Sequence, residues 1–338
     1  MESPLSMPES VPASPTSPKA WWCWINRLAL DAVAVAVAWL YVFGGMTGAR
    51  VQPAEAVCLG TAVWLIYMLD RLGDAGTKGG DADRHQFARR NARWLWLVII
   101  AAAVAITWWA LHSIRWVTLR AALYVGGTAG IYFMILLASR WKVVSQVLLV
   151  GVSGLFVLGL VQGETVASPG VQLWRAVVAG TIATVLYVGL RYQYDPPPWI
   201  LTKKWLGGYI FALGVAVGPF SHLEDWQGLL HGTPVMLFAS ACALNSLGIR
   251  LWEHENTTDP ELLMLGRLYP WLLAAIAGGA LMQAGAADEW TRPVLLAVAG
   301  CVAGFGFLHA GRHWPAAARA LAADGLMIAA ALLAQWMA

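Results

Sequence analysis

The chain has 338 residues, of which 59% are hydrophobic and only 12% charged, with a formal net charge of +3. Soluble domains are about one-quarter charged, so the mean hydropathy of +0.61 places most of this fold in a bilayer and not in water. The small positive balance excludes a nucleic-acid partner and fits the Lys/Arg excess that membrane proteins keep on cytoplasmic loops.

Residues 1–20 are rich in Ser and Pro and lack the basic start and apolar core of a secretion signal, so they read as a disordered cytosolic tail. Residues 21–338 read as one transmembrane helical domain. A spanning helix needs roughly 20 apolar residues. On that criterion spans are predicted near 26–45, 53–70, 94–113, 119–138, 143–162, 171–190, 204–221, 231–251, 268–284, 292–309 and 315–336, with a re-entrant pair left open between 143 and 190. The runs are continuous and Ala/Leu-rich, which argues against a β-barrel.

Basic residues concentrate on alternate connections: Arg71 to Arg93, Arg140 and Lys142, Arg191 to Lys204, Arg250 to Arg267, and Arg312 to Arg319. That alternation predicts a cytoplasmic N-terminus and an external C-terminus. Gly126, Gly127 and Gly130, Gly151 and Gly154, Gly214 and Gly218, and Gly300 and Gly304 are predicted to let helices approach closely. Trp94, Trp96, Trp108, Trp109, Trp205 and Trp290 mark interfacial belts. Cys23, Cys58, Cys242 and Cys301 have no metal spacing and read as packing residues. The run from Arg140 resembles the run from Lys203, as a duplicated helix pair would.

Ionisable groups within spans are costly and therefore informative. In YMLDRLGD, Asp70 and Asp74 stand at i and i+4 on one helical face. Such a pair needs a counter-charge, from Arg71, Arg84 or a divalent cation; a solvated helix end is the competing reading. A second polar element, LNSLGIRLWEHENTTDPE, offers Asn245 and Glu253 eight residues apart, with Glu255, Asp259 and Glu261 following. By the predicted topology both elements face the cytoplasm, in loops 70–93 and 245–267. Carboxylates ringed by Arg and Lys suit Mg²⁺ bound together with phosphate oxygens. Asp324 reads as a cavity-lining acid, or as a partner of Arg319 or of a neighbouring helix. Gln146 and Gln162 read as inter-helix hydrogen bonders, and His85 and His254 as interfacial ones.

Together, YMLDRLGD, DADRHQF and LNSLGIRLWEHE resemble the motifs of the UbiA superfamily of intramembrane prenyltransferases. Tyr67 or Ile66 stands where that family has an Asn, and the second motif is less acidic than usual. The resemblance implies an all-α polytopic bundle of about 9–11 transmembrane helices in a bacterial inner membrane. It also implies transfer of an isoprenyl group from an isoprenoid diphosphate to a lipophilic or aromatic acceptor. Carried over, Asp70, Asp74 and Glu253 are the expected catalytic residues and, with Asp259, the Mg²⁺ ligands. Arg71, Arg84, Lys142 and Asn245 are the expected substrate contacts. A transporter or lipid-binding protein without the metal chemistry is the alternative.

Overall fold

The computed structural model describes residues 22–74, 83–138, 199–224, 226 and 232–338. These residues form eleven helices and no strand: α1 (Trp22–Arg27), α2 (Leu30–Thr47), α3 (Pro53–Asp74), α4 (Asp83–Arg90), α5 (Ala92–Ser113), α6 (Trp116–Ala138), α7 (Trp199–Phe220), α8 (Thr233–Glu253), α9 (Pro260–Ala286), α10 (Thr291–Ala310) and α11 (Ala316–Met337). Seven of them, α2, α3, α5, α8, α9, α10 and α11, are long and apolar enough to cross a membrane. The chain is thus a polytopic all-α membrane protein. The helices α6 and α7 sit where the fourth and seventh spans are expected; the expected spans at 143–162 and 171–190, and the Arg140 run, lie outside the described residues.

Two local features depart from the sequence expectation. The first span does not run unbroken from residue 26: Ala29 takes a left-handed backbone with φ of 54°, so α1 ends and α2 starts afresh at Leu30. An L residue pays for that conformation, and here it is fully buried. The connection 70–93 contains α4, whose Phe87 and Ala88 pack with Met68, Leu95 and Ile99 in a small satellite core.

The axis of the bundle is α8. It is apolar on almost every side, as a helix surrounded by others must be, and it packs on α7, α9, α10 and α11. The helix α2 packs on α3, α7 and α11 and completes the centre. Trp39 stacks on Phe238 with centroids 4.2 Å apart, Phe43 meets Phe238 and Phe220 edge-on, and the Trp39 indole N–H donates to the Met327 carbonyl at 2.9 Å. The mid-bundle is therefore an aromatic plug joining α2, α7, α8 and α11.

Close helix approach is set by glycines other than the expected ones. A Cβ at Gly208 would lie 2.6 Å from the Ala243 backbone nitrogen and 2.7 Å from the Ala239 carbonyl oxygen, so α7 and α8 touch backbone to backbone there. At Gly248 a Cβ would strike the Tyr269 ring, whose hydroxyl donates to the Leu244 carbonyl. By contrast Gly126, Gly127, Gly214 and Gly300 face open space, Gly218 makes an ordinary contact with Leu40, and Gly304 meets only the flexible Leu326 side chain. Gly130, Gly151 and Gly154 lie outside the residues whose surroundings are described.

Because backbone cannot yield as a side-chain tip does, Gly208→Ala is expected to destabilise the detergent-solubilised protein by about 1–3 kcal/mol. Gly214→Ala should be neutral or stabilising by up to about 1 kcal/mol, through helix propensity. Thermal unfolding of the two variants side by side checks this; equal melting temperatures would contradict it.

Candidate functional site

Among the described residues, contacts of Asp70 with Lys203, Arg71 with Arg27 and Asp31, Asn245 with Asp324, and Arg319 with Glu255 put the start of α2, the end of α3, the start of α7, the end of α8 and the start of α11 at one end of the bundle. The break at Ala29 places Asp31 in the first turn of α2, where it accepts a hydrogen bond from the Ala32 N–H at 2.9 Å and is 8% exposed. Its carboxyl lies within interaction reach of that of Asp324 from α11. From α8, the Asn245 amide donates to Asp324 Oδ1 at 2.7 Å, while its own Oδ1 is buried with no partner among the described residues. Tyr67 of α3 stands within electrostatic reach of Asp324, Cys242, Asp31 and Asp70, with Phe211 of α7 edge-on at 6.4 Å.

Nearer the surface the chemistry turns cationic. Arg71, 7% exposed, donates to the Arg27 carbonyl oxygen that the α1–α2 break leaves free, and its charge acts on Asp31. Lys203 Nζ of α7 lies 3.7 Å from Asp70 Oδ1, with the Asp70 side chain 41% exposed. From the membrane surface inward, the order is therefore Asp70 with Lys203, then Arg71 and Tyr67, then the Asp31–Asp324–Asn245 cluster, and then the aromatic plug.

Three sequence-predicted site residues, Asp70, Arg71 and Asn245, belong to this arrangement. Asp74 ends α3 one turn beyond Asp70. Glu253 ends α8 on the face that also carries Cys242 and Ile249; α7 packs on both α3 and α8 and stands between them. Asp259 sits elsewhere and serves the fold: its Oδ1 accepts from the Glu261 N–H at 2.9 Å and caps α9. Arg84 lies in α4, and Lys142 lies outside the described residues. Among the described residues no three His, Cys, Asp or Glu side chains gather as a metal cage.

Asp324 does not pair with Arg319. Arg319, 1% exposed, donates instead to Glu255 Oε1 at 2.6 Å and lies over the Trp252 ring, whose indole N–H reaches His309 at 3.3 Å. This tie fastens the α8–α9 connection to α11. The hydrogen bond from Arg319 holds the Glu255 carboxyl below its ordinary value of 4.5, against partial burial acting the other way.

Sequence reasoning missed Asp31 and gave Lys203 no specific role. The signal for Asp31 was available, since a carboxylate inside a predicted span demands a partner. Comparison with known protein families, curated proteins and solved structures finds no match to this chain, so its class rests on the fold and its function on this site.

Two outcomes follow from these contacts. Asp324→Asn keeps the size and hydrogen-bonding capacity of the side chain, whereas Asp324→Leu strands both Asp31 and Asn245. The Leu variant should lose about 1–3 kcal/mol, and a melting temperature no lower than that of the Asn variant would contradict the pairing. The Glu255–Arg319 tie stabilises fully above the ordinary Glu pKa and is lost as pH falls through the lowered native value. Glu255→Gln should therefore flatten the acid limb of a stability–pH profile, which a pH series of thermal scans measures.

Proposed function

We propose that the protein is a UbiA-like intramembrane transferase, with the Asp70 end of the bundle at the cytoplasmic face of a bacterial inner membrane. It moves an isoprenyl group from an isoprenoid diphosphate to a lipophilic or aromatic acceptor. The observation that carries the reading is the gathering of charged and polar groups at one end of the bundle. An exposed acid–cation pair, Asp70 with Lys203, lies at the same end as two neighbouring buried carboxyls, Asp31 and Asp324, beside an apolar core.

The donor set fits Mg²⁺. Asp70 and Asp74 are hard oxygen ligands at i and i+4, and Mg²⁺ is commonly held by one or two carboxylates with phosphate oxygens and water completing the shell. Bound there, the ion offsets charge on the departing diphosphate. The chain's own groups do the rest. Lys203 and Arg71, with Arg84 on α4, supply fixed positive charge for the diphosphate. Tyr67, Phe211 and the apolar walls exclude water from the carbon centre as its bond to diphosphate oxygen breaks. The new bond forms from that carbon to the acceptor, and the proton the acceptor releases goes to a carboxylate at the Asp31–Asp324 site. Asn245, hydrogen-bonded to Asp324, holds that carboxyl in place.

The second reading, a lipid-binding or transporting bundle without transfer chemistry, draws on the same buried cluster, because intramembrane ionisable residues also mark transport paths. Titration of purified protein with farnesyl diphosphate, with and without Mg²⁺, separates the two. The transferase reading expects Mg²⁺-dependent binding that Asp70→Asn weakens about tenfold or more. Binding indifferent to metal and to that substitution would discard it in favour of the second reading.

A further inference from the structure

The opposite end of the bundle carries a second polar construction that the transfer chemistry does not use. There a cavity of about 550 Å³ is lined by Ala49, Arg50, Val51, Gln52, Pro53, Arg115 and His222. That volume lies within the range of small-ligand sites. Its walls come from the α2–α3 turn, the α5–α6 turn and the segment after α7.

The walls are held in place from behind. Glu55, in the first turn of α3, is 5% exposed. Its Oε2 accepts from the Gln52 N–H at 3.0 Å, and its Oε1 accepts from the Thr118 hydroxyl at 3.4 Å. Thr118 in turn bonds the Ser221 hydroxyl at 2.9 Å, tying α6 to the end of α7. Arg115 Nη2 lies 3.8 Å from Glu55 Oε1 and donates to His222 Nε2 at 2.7 Å. Because the guanidinium always donates, His222 Nε2 is the acceptor and the imidazole is the neutral Nδ1–H tautomer. Burial and the Arg115 charge together push its pKa below the ordinary 6.5. The α2–α3 turn is itself fixed, since Gly48 takes a left-handed φ of 66° and a Cβ at Gly44 would lie only 2.5 Å from a Val51 methyl.

Two arginines thus line the cavity, and the buried Glu55 carboxylate lies near one of them, Arg115. The Arg115 side chain is 48% exposed, leaving donors of its fork toward the cavity, and Arg50 makes no hydrogen bond or ion pair among the described residues. The positive end of the α3 dipole adds to the surplus. A guanidinium fork matches phosphate oxygens two at a time. The depth of the site agrees: Trp108, Trp109 and Trp116 around this end are exposed, as expected of rings at the level of lipid headgroups.

We infer that the cavity between Arg50, Arg115 and His222 is a binding site for a phosphate group at the membrane surface opposite the Asp70 site. The phosphate of an anionic phospholipid and free inorganic phosphate share the required chemistry.

The test uses delipidated full-length protein in detergent, titrated separately with dioctanoyl phosphatidic acid and with inorganic phosphate, following tryptophan fluorescence. Saturable binding of the phosphatidic acid that inorganic phosphate does not displace assigns the site to a lipid headgroup. Saturable binding of inorganic phosphate assigns it to the free anion. In either case Arg50→Gln and Arg115→Gln should each weaken binding about tenfold, while Arg89→Gln at the other end of the bundle leaves it unchanged. Arg50 is exposed and unpaired, so its variant reports on the site even where Arg115→Gln disturbs the fold. No saturable binding of either probe, or equal affinity in wild type and Arg50→Gln, would overturn the assignment.

Discussion

A polar side chain within a bilayer must find its partner inside the protein, because the lipid offers none. In this chain that constraint falls on Asp31, Asp324 and Asn245, which lie on three helices far apart in sequence and gather at one place, where the Asn245 amide donates to Asp324 and the two carboxyls stand within interaction reach. Interhelical hydrogen bonds in membranes are worth only about 0.6–2 kcal/mol each, so this cluster does more to specify than to stabilise. It selects the rotation of α2, α8 and α11 about their own axes that brings the three groups together. With α8 turned this way, Gly208 of α7 lies against Ala239 and Ala243, and Phe238 faces Trp39. The lone buried oxygen of Asn245 keeps the arrangement incomplete from within.

The two ends of the bundle meet the same constraint differently. At the Asp70 end, charges are graded from the exposed Asp70–Lys203 pair to the buried carboxyl pair, and the gradient leads into the apolar interior. At the Glu55 end the buried carboxylate is met by hydroxyl and amide donors and a guanidinium, with the His222 ring beside it, and serves as an anchor for three turns. One end runs from exposed charge to buried carboxyls; the other frames a cavity at the surface.

Hydropathy made the spans legible, because length and apolarity are properties of a segment taken alone. Eight expected spans coincide with helices to within about five residues, the one at 268–284 lies inside the longer α9 (Pro260–Ala286), and the remaining two fall outside the described part. What hydropathy could not show is which residue meets which. The break at Ala29 is invisible, since alanine is the best helix former and only the tertiary pull on Asp31 and the Arg27 carbonyl explains the left-handed turn. Glycine spacing pointed to Gly214 and Gly300, yet the close approach is at Gly208 and Gly248, because a small residue matters only where another backbone or ring arrives. Asp259 carried the right charge in the right loop, but the pattern Asp-Pro-Glu is also a helix start, and the capping role won. Asp70, Arg71 and Asn245 were legible as site candidates because polar groups at span ends have few other uses; Asp31 obeyed the same rule and was passed over.

The central claim of the proposed transferase reading is that the isoprenoid enters the bundle between α3, α7 and α8, from Asp70 toward Asn245. Photo-crosslinking with a benzophenone-bearing analogue of farnesyl diphosphate, followed by peptide mapping, reads that location directly. The account predicts label on the α3, α7 and α8 peptides around Tyr67, Phe211 and Cys242, competed away by unmodified farnesyl diphosphate. Label confined to the exposed faces of α9 and α10, at residues such as Trp271 and Phe307, would place the lipid outside the bundle and contradict it.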